Sequence, residues 1–349
     1  MVTQIVAGRT FDYSHSIGRG APSGSGFNVA IDIALGEGNR VYVLNRGYEY
    51  IPTVPWNRAG RGARVGIFNV GTEAGDEEFI SEFSKYGDGQ GELIWPAGIT
   101  LDDQYNVYVS DEWLNRVSVF DKDGNYLNDW GSSGEGDAEF SGPSGIATDA
   151  QNDIYVVDSR NHRVQKLTKE GKFLLGWGKL GTGEGEFDSP WGINLDHEGN
   201  VYVADHKNNR VQKFTPDGKF LAQFGTYGTG RGELNRPSAV SIDPDGDVYI
   251  CDWANDRVQL FNSEGKYLTS FVGDAQELTK WAQEIVFTNP GAVRRRREVK
   301  NMEVEWRLGM PTALAFDTGN NRIMIVDTQR NRLQIYNKLK EYAEPQRNL

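Results

Sequence analysis

Four prolines, Pro96, Pro143, Pro190 and Pro237, stand 47 residues apart, and four arginines, Arg116, Arg163, Arg210 and Arg257, keep the same step. Between each pair runs one string: an apolar segment, a short turn, a β-branched and tyrosine run ending in aspartate, then Arg-Val. A looser copy begins at Pro311 and ends in Arg332-Leu333-Gln334-Ile335-Tyr336. Another precedes them all, with Ile31-Asp32-Ile33-Ala34, Val41-Tyr42-Val43-Leu44-Asn45 and Arg64-Val65-Gly66-Ile67-Phe68. Self-similarity at this period marks a repeat architecture, in which each unit buries its apolar face only against its neighbours. Within one unit, Gly98–Asp102, Val107–Asp111, Arg116–Phe120 and Tyr126–Trp130 read as four short strands separated by Asp-Gly and similar turns. Six such units predict an all-β, six-bladed propeller with four antiparallel strands per blade, a single domain spanning 1–349.

Closure is legible too. The sixth unit stops after its third strand, and Gln4-Ile5-Val6-Ala7-Gly8 matches the fourth strands Leu174–Gly178 and Leu221–Gly225. An N-terminal strand that completes the last blade would remove an exposed edge. The recurring Pro-x-Gly-Ile, Val-Tyr-Val-x-Asp and Asn-x-Arg-Val elements resemble NHL repeats, most closely at Asn161-His162-Arg163-Val164. That resemblance implies the propeller fold. It leaves function open, because propellers of this type serve as enzymes, RNA readers and docking modules.

The chain holds 37 basic and 49 acidic residues, a net charge of −12, which disfavours phosphate backbones and anionic membranes as partners. Its one cysteine, Cys251, excludes an intramolecular disulfide and a multi-cysteine metal site. No apolar run reaches the roughly 20 residues of a membrane helix, and the N-terminus lacks signal-peptide features. The expectation is a cytoplasmic protein.

Strand a begins, and strand b ends, on the same face of the disc. Two insertions break the even repeat there: Arg46–Ala63 in the b-to-c loop of blade one, and residues 274–310 between blades five and six. The connection Arg9–Gly26 is expected on that face as well. Asp274 as N-cap, with Leu278, Trp281, Ala282 and Ile285 as an apolar stripe, predicts a helix ended by Asn289-Pro290-Gly291. Arg294–Arg297 follow, a charge run whose simplest reading is a solvated or subunit-contacting segment.

The segment Val41-Tyr42-Val43-Leu44-Asn45-Arg46-Gly47 resembles one found in peptidyl-hydroxyglycine amidating lyases, six-bladed NHL-type propellers. The resemblance implies a three-histidine zinc at the channel mouth and an arginine near the substrate. Val41–Gly47 is similar to the arginine-bearing segment of that family, placing Arg46 at the matching position. The metal half departs from the pattern. The residues after the repeat prolines are Ala97, Ser144, Trp191, Ser238 and Thr312, and of four histidines only His15 and His206 are expected at the mouth. These remain the candidate zinc ligands, joined by a carboxylate such as Glu112 or Asp205, whereas a calcium in the channel would use backbone carbonyls and carboxylates.

The repeated Asp-x4-Arg pairs read as structural corners, since a catalytic group is needed once. Residues that break the repeat are better candidates. Arg46 could bind an anionic group, with His206 or Glu112 as acid or base. Tyr48, Tyr50, Trp56, Trp113, Trp191 and Trp253 would form an aromatic ring suited to a small molecule or short peptide. Two readings follow: a lyase- or hydrolase-type enzyme on a small polar or anionic substrate at the channel mouth, or a non-catalytic module docking a peptide or protein over the aromatic face. Nucleic acid ranks behind both.

Overall fold

The computed structural model describes residues 3–50 and 59–340. Six antiparallel sheets surround a central channel. Blade one comprises Ala30–Leu35, Arg40–Asn45, Arg64–Asn69 and Glu78–Phe83, and blade two Pro96–Leu101, Val107–Asp111, Arg116–Phe120 and Tyr126–Trp130. Blades three, four and five repeat the pattern, their second strands ending at Asp158, Asp205 and Asp252. Six hydrophobic clusters lie one at each interface between neighbouring blades, with tyrosines such as Tyr155 and Tyr249 fully buried in them.

Blade six closes the ring through the N-terminus, as the truncated last repeat requires. The closing strand differs from the expected segment. Arg9–Ile17 pairs with Arg332–Leu339 as the fourth strand, and Thr3–Val6 folds back outside it as a fifth. The reason is local: Ala7 and Gly8 both have positive φ (47° and 79°), the two-residue turn that joins antiparallel strands tightly. The segment matching a fourth strand is thus displaced one strand outward, and Arg9–Ile17 is not a mouth loop.

The repeated corner explains the Asn-x-Arg element. Asn115, His162, Asn209, Asp256 and Asn331 each adopt a left-handed conformation, φ 53–56°, which asparagine and aspartate tolerate best. Each side chain then accepts a backbone N–H from the next blade: Gly142, Ser189, Arg236, Met310 and Val29 respectively, at 2.7–3.1 Å. The corner aspartates are equally structural. Asp158, Asp205, Asp252 and Asp327 accept from Arg163, Arg210, Arg257 and Arg332 at 2.7–2.8 Å. Those arginines also reach carbonyls of the d-to-a connection. Blade two varies the theme, with Asp111 accepting backbone N–H groups while Arg116 faces Asp129 at 3.5 Å.

The second insertion forms helices α1 (Lys280–Thr288), α2 (Pro290–Glu298) and α3 (Glu303–Trp306). Thr279, not Asp274, caps α1, and Asn289 ends α1 while capping α2, with Pro290 at its first position where its missing N–H costs nothing. Trp281 is drawn into the core between blades six and one, against Phe68, while Ile285 stays exposed. That burial pulls α1 down the outer rim, so the insertion leaves from the mouth face but does not roof the channel. Arg294 pairs with Glu298 and Arg296 with Glu305. No described helix is long and apolar enough to cross a membrane.

Candidate functional site

Each blade contributes one residue to the mouth just past its second strand: Arg46, Glu112, Ser159, His206, Trp253 and Thr328. The fold holds these positions at equal height because the preceding Asn or Asp is locked in a corner. On blades two to six that residue is an aspartate, buried at every corner. In blade one Asn45 takes its place, its Oδ1 accepting from Asn28 and its Nδ2 donating to Val43. The ring is therefore six-fold in backbone and asymmetric in chemistry.

Blades one to four enclose a cavity of about 260 Å³ lined by Arg46, Glu112, Ser144, Arg160, Trp191 and His206, with Gly142, Ser159 and Ser189 completing it. All three residues expected to act chemically, Arg46, Glu112 and His206, meet there. Arg46 Nη2 donates to Glu112 Oε2 at 3.0 Å, and the guanidinium lies 5.2 Å from the Trp95 ring centre. Glu49, three residues further along, accepts from the Tyr86 hydroxyl at 2.7 Å.

His206 is half-buried between two indoles, 4.8 Å from Trp191 and 5.9 Å from Trp253. Burial pushes its pKa down to about 4 despite a backbone hydrogen bond to Pro237 that works the other way. Nδ1 lies 3.1 Å from the Pro237 carbonyl. A carbonyl only accepts, so Nδ1 carries the proton and Nε2 keeps its lone pair. Among the described residues Nε2 has no hydrogen-bond partner. Trp191 and Trp253 thus act on His206, excluding water and keeping it neutral.

From sequence Arg160 stands among the repeat-breaking residues of the mouth, without a chemical role assigned to it. It follows Ser159 on a repeat-breaking corner, which was the available signal. Its guanidinium is exposed, and its side chain crosses Gly142, where an added Cβ would lie 3.0 Å from Nε. Among the described residues it has no ionic partner, whereas Arg46 is already neutralised by Glu112. Ser144, buried behind the cavity, donates to the Trp191 carbonyl at 2.9 Å.

The remaining aromatic candidates are dispersed. Trp113 is 42% exposed and packs edge-on against Trp95. Tyr48, 60% exposed, stands on a small hairpin of Tyr48–Tyr50 and Ala59–Arg61, whose first strand Tyr50 ends. Trp56 lies outside the described residues. Among the described members of this set Trp191 lines the cavity, and Trp253 packs against it with ring centres 6.4 Å apart.

His15 is not at the mouth. It sits on the rim strand Arg9–Ile17, buried, with Nδ1 held by Ser14 and Nε2 by the Val70 carbonyl, both at 2.8 Å. The zinc set that the lyase resemblance implies does not fit these residues, because His15 and His206 line different cavities. His162 caps its corner and His197 lies in the opposite turn. Among the described residues, one carboxylate trio is close enough to hold a metal: Asp243, Asp245 and Asp247. The Lys338 ammonium stands among them, 2.5–3.0 Å from each.

These features define a six-bladed β-propeller with a polar pocket at one mouth of its channel. The chain carries NHL repeats: the NHL repeat model matches residues 140–167, 187–214 and 234–261, the corner-bearing parts of blades three to five. A 46-residue stretch is 52% identical to Protein lin-41 of Caenorhabditis elegans, covering 13% of this chain and 4% of that protein. Among solved structures, streptogramin B lyase aligns over 96% of this chain and 90% of its own, with TM-score 0.53 and 15% identity. Virginiamycin B lyase from Staphylococcus aureus aligns over 94% and 100%, with TM-score 0.52 and 12% identity. A protein of unknown function from Bacteroides thetaiotaomicron covers 95% of this chain and 76% of its own, with TM-score 0.57 and 18% identity. At these identities the likeness establishes the propeller fold.

Proposed function

We propose that the mouth is a catalytic site of lyase or hydrolase type for a small anionic organic substrate. The observation that carries this reading is the state of His206: neutral, fixed in one tautomer by the Pro237 carbonyl, and unpartnered at Nε2 within the cavity that also holds Arg160. A base of this kind takes a proton from a C–H next to a carbonyl group, or from an attacking water. Arg160, free of a counter-ion, anchors the substrate carboxylate through a charge-assisted pair. Arg46, held in place by Glu112, presents its guanidinium to the developing negative charge, and the imidazolium formed on His206 returns the proton it took to the leaving group.

Support comes from propellers of the same fold that are named as lyases. A histidine-to-alanine form of virginiamycin B lyase is described as catalytically inactive. The test is to incubate the protein with a library of small carboxylic acids and follow their consumption by mass spectrometry, beside His206→Ala and Arg160→Ala. Turnover that requires both side chains supports the proposal. A carboxylate that binds independently of Arg160, with no turnover of any library member, would sink it and turn attention to peptide docking over Trp113 and Trp253.

A further inference from the structure

A second cavity, about 850 Å³, lies on the rim between blades six and one. Three separate stretches build it: Tyr13–Ser16 of the closing strand, Ala74–Glu77 of the blade-one turn, and 274–288, containing α1. Its size falls within the range of small-molecule sites. The floor is rigid. Thr279 donates to the Gly18 carbonyl, Glu77 accepts from the Lys280 backbone, and Tyr13 packs edge-on against Tyr336.

The charge balance of this cavity is one-sided. Among the described residues Lys280 is the one lysine or arginine lining it, and its Nζ is committed to the carbonyls of Gly75 and Glu77, each at 3.0 Å. Asp274 accepts from the Tyr336 hydroxyl, and Glu77 is buried and bonded to Gly75 and Lys280. Glu277 and Glu284 are exposed at the opening, and neither carboxylate has a partner among the described residues. Beside them stand apolar walls: Tyr13, Leu278 and Phe287, the last 62% exposed. His15 adds no positive charge, because burial lowers its pKa and both ring nitrogens are used.

We infer that this rim cavity binds a small organic cation with an aromatic or alkyl body. The ammonium lies between Glu277 and Glu284, and the body rests on Tyr13, Leu278 and Phe287, where ring faces add cation–π attraction. Neither a carboxylate nor a neutral isostere satisfies the two unpaired acids.

Titration calorimetry with phenethylamine, against hydrocinnamate as its anionic counterpart, tests the site. Saturable amine binding is expected, with hydrocinnamate at least tenfold weaker. The Glu277→Gln/Glu284→Gln double variant and Phe287→Ala should each weaken the amine roughly tenfold or more, about 1.4 kcal/mol. These side chains are exposed, and circular dichroism checks the fold of each variant. Arg160→Ala, at the mouth, should leave amine binding unchanged. Absence of saturable binding at millimolar amine, equal binding of the two probes, or a double variant that binds as the wild type would each overturn the assignment. Loss of binding in Arg160→Ala would place the amine at the mouth and overturn it equally, while leaving the catalytic proposal to its own test.

Discussion

Arg9 and Asp247, 238 residues apart, form a two-pronged guanidinium–carboxylate pair, Nε to Oδ2 at 2.9 Å and Nη2 to Oδ1 at 2.7 Å. The pair ties the closing strand to the a-to-b turn of blade five. Lys338, on the neighbouring strand of blade six, donates to Asp243, Asp245 and Asp247 in the same turn. In blades three and four the turn aspartates are served within their own blade, by Lys166 to Asp149 and Lys213 to Asp196. The matching residue of blade five is Leu260, so the closing blade supplies the cations.

Lys338→Met strips the ammonium from three carboxylates, two of them fully buried. Breaking a buried pair from one side costs about 3–5 kcal/mol, read as a lower urea midpoint at unchanged slope. Arg9→Ala should cost less, because Lys338 still serves Asp247 and the Arg9 side chain is partly exposed. Equal, negligible losses in both variants would show that the ring does not depend on this latch.

His162 tests the corner rule. Its Nδ1 accepts from the Ser189 N–H at 3.1 Å while the backbone sits at φ 54°. His162→Asn keeps an acceptor and a residue tolerant of that backbone, and should be within about 0.5 kcal/mol of wild type. His162→Ala leaves the N–H without its acceptor and adds left-handed strain, for roughly 2 kcal/mol in total. Thermal melts of the two variants give the comparison.

The pH dependence at His206 has a definite sign. Its pKa falls from 6.5 to about 4 on folding because burial disfavours the charged ring. The unfolded chain therefore takes up a proton that the native state refuses. The stability contributed is complete above about 6.5 and is lost as pH falls toward 4. Catalysis should follow the native value, with the acid limb of kcat/KM near 4 rather than 6.5. NMR titration of the ring fixes the first statement, and a pH–rate profile the second.

The two mouth arginines should separate. Arg160→Ala is expected to weaken a bound carboxylate by roughly tenfold, the worth of one charge-assisted hydrogen bond, with little change in melting temperature. Arg46→Ala frees Glu112 beside the cavity, so Glu112→Gln should partly rescue it. A double-mutant cycle on Arg46 and Glu112 measures the coupling.

Among the described residues Asp32 is the one carboxylate lining the central channel, at the position where the other blades place Gly98, Gly145, Gly192, Ala239 and Ala313. Its oxygens accept from Ile33 and Ile99, both at 2.9 Å, yet burial raises its pKa from 3.8 to about 7. Here the native state holds the proton that the unfolded chain releases, so stability declines as pH rises from about 3.8 to 7. Asp32→Asn should flatten that decline, at a cost of about 1 kcal/mol for one N–H left unaccepted. A wild-type slope that survives the substitution would assign the titration to another group.

The repeat was readable in the chain because a propeller blade writes local chemistry into a fixed period. The corners of blades two to six need Asp, Arg and a left-handed Asn, Asp or His at set offsets, so blade number, strand order and the structural role of Asp158 or Arg210 could be named in advance. Arg46, Glu112 and His206 were legible for the converse reason: they occupy a position that the corner leaves free. Contacts between distant segments carried no such signature. Nothing near Arg46 announced Glu112, 66 residues away, and nothing near His15 announced Val70. A two-residue turn at Ala7-Gly8 moved the closing strand, and the burial of Trp281 drew a helix from the mouth to the rim. Periodicity, being local and repeated, is determined by sequence alone. Which unique side chains meet, and which cavities they enclose, was decided by ring closure, since only the closed ring brings the first strand against the last and sets six corners around one mouth.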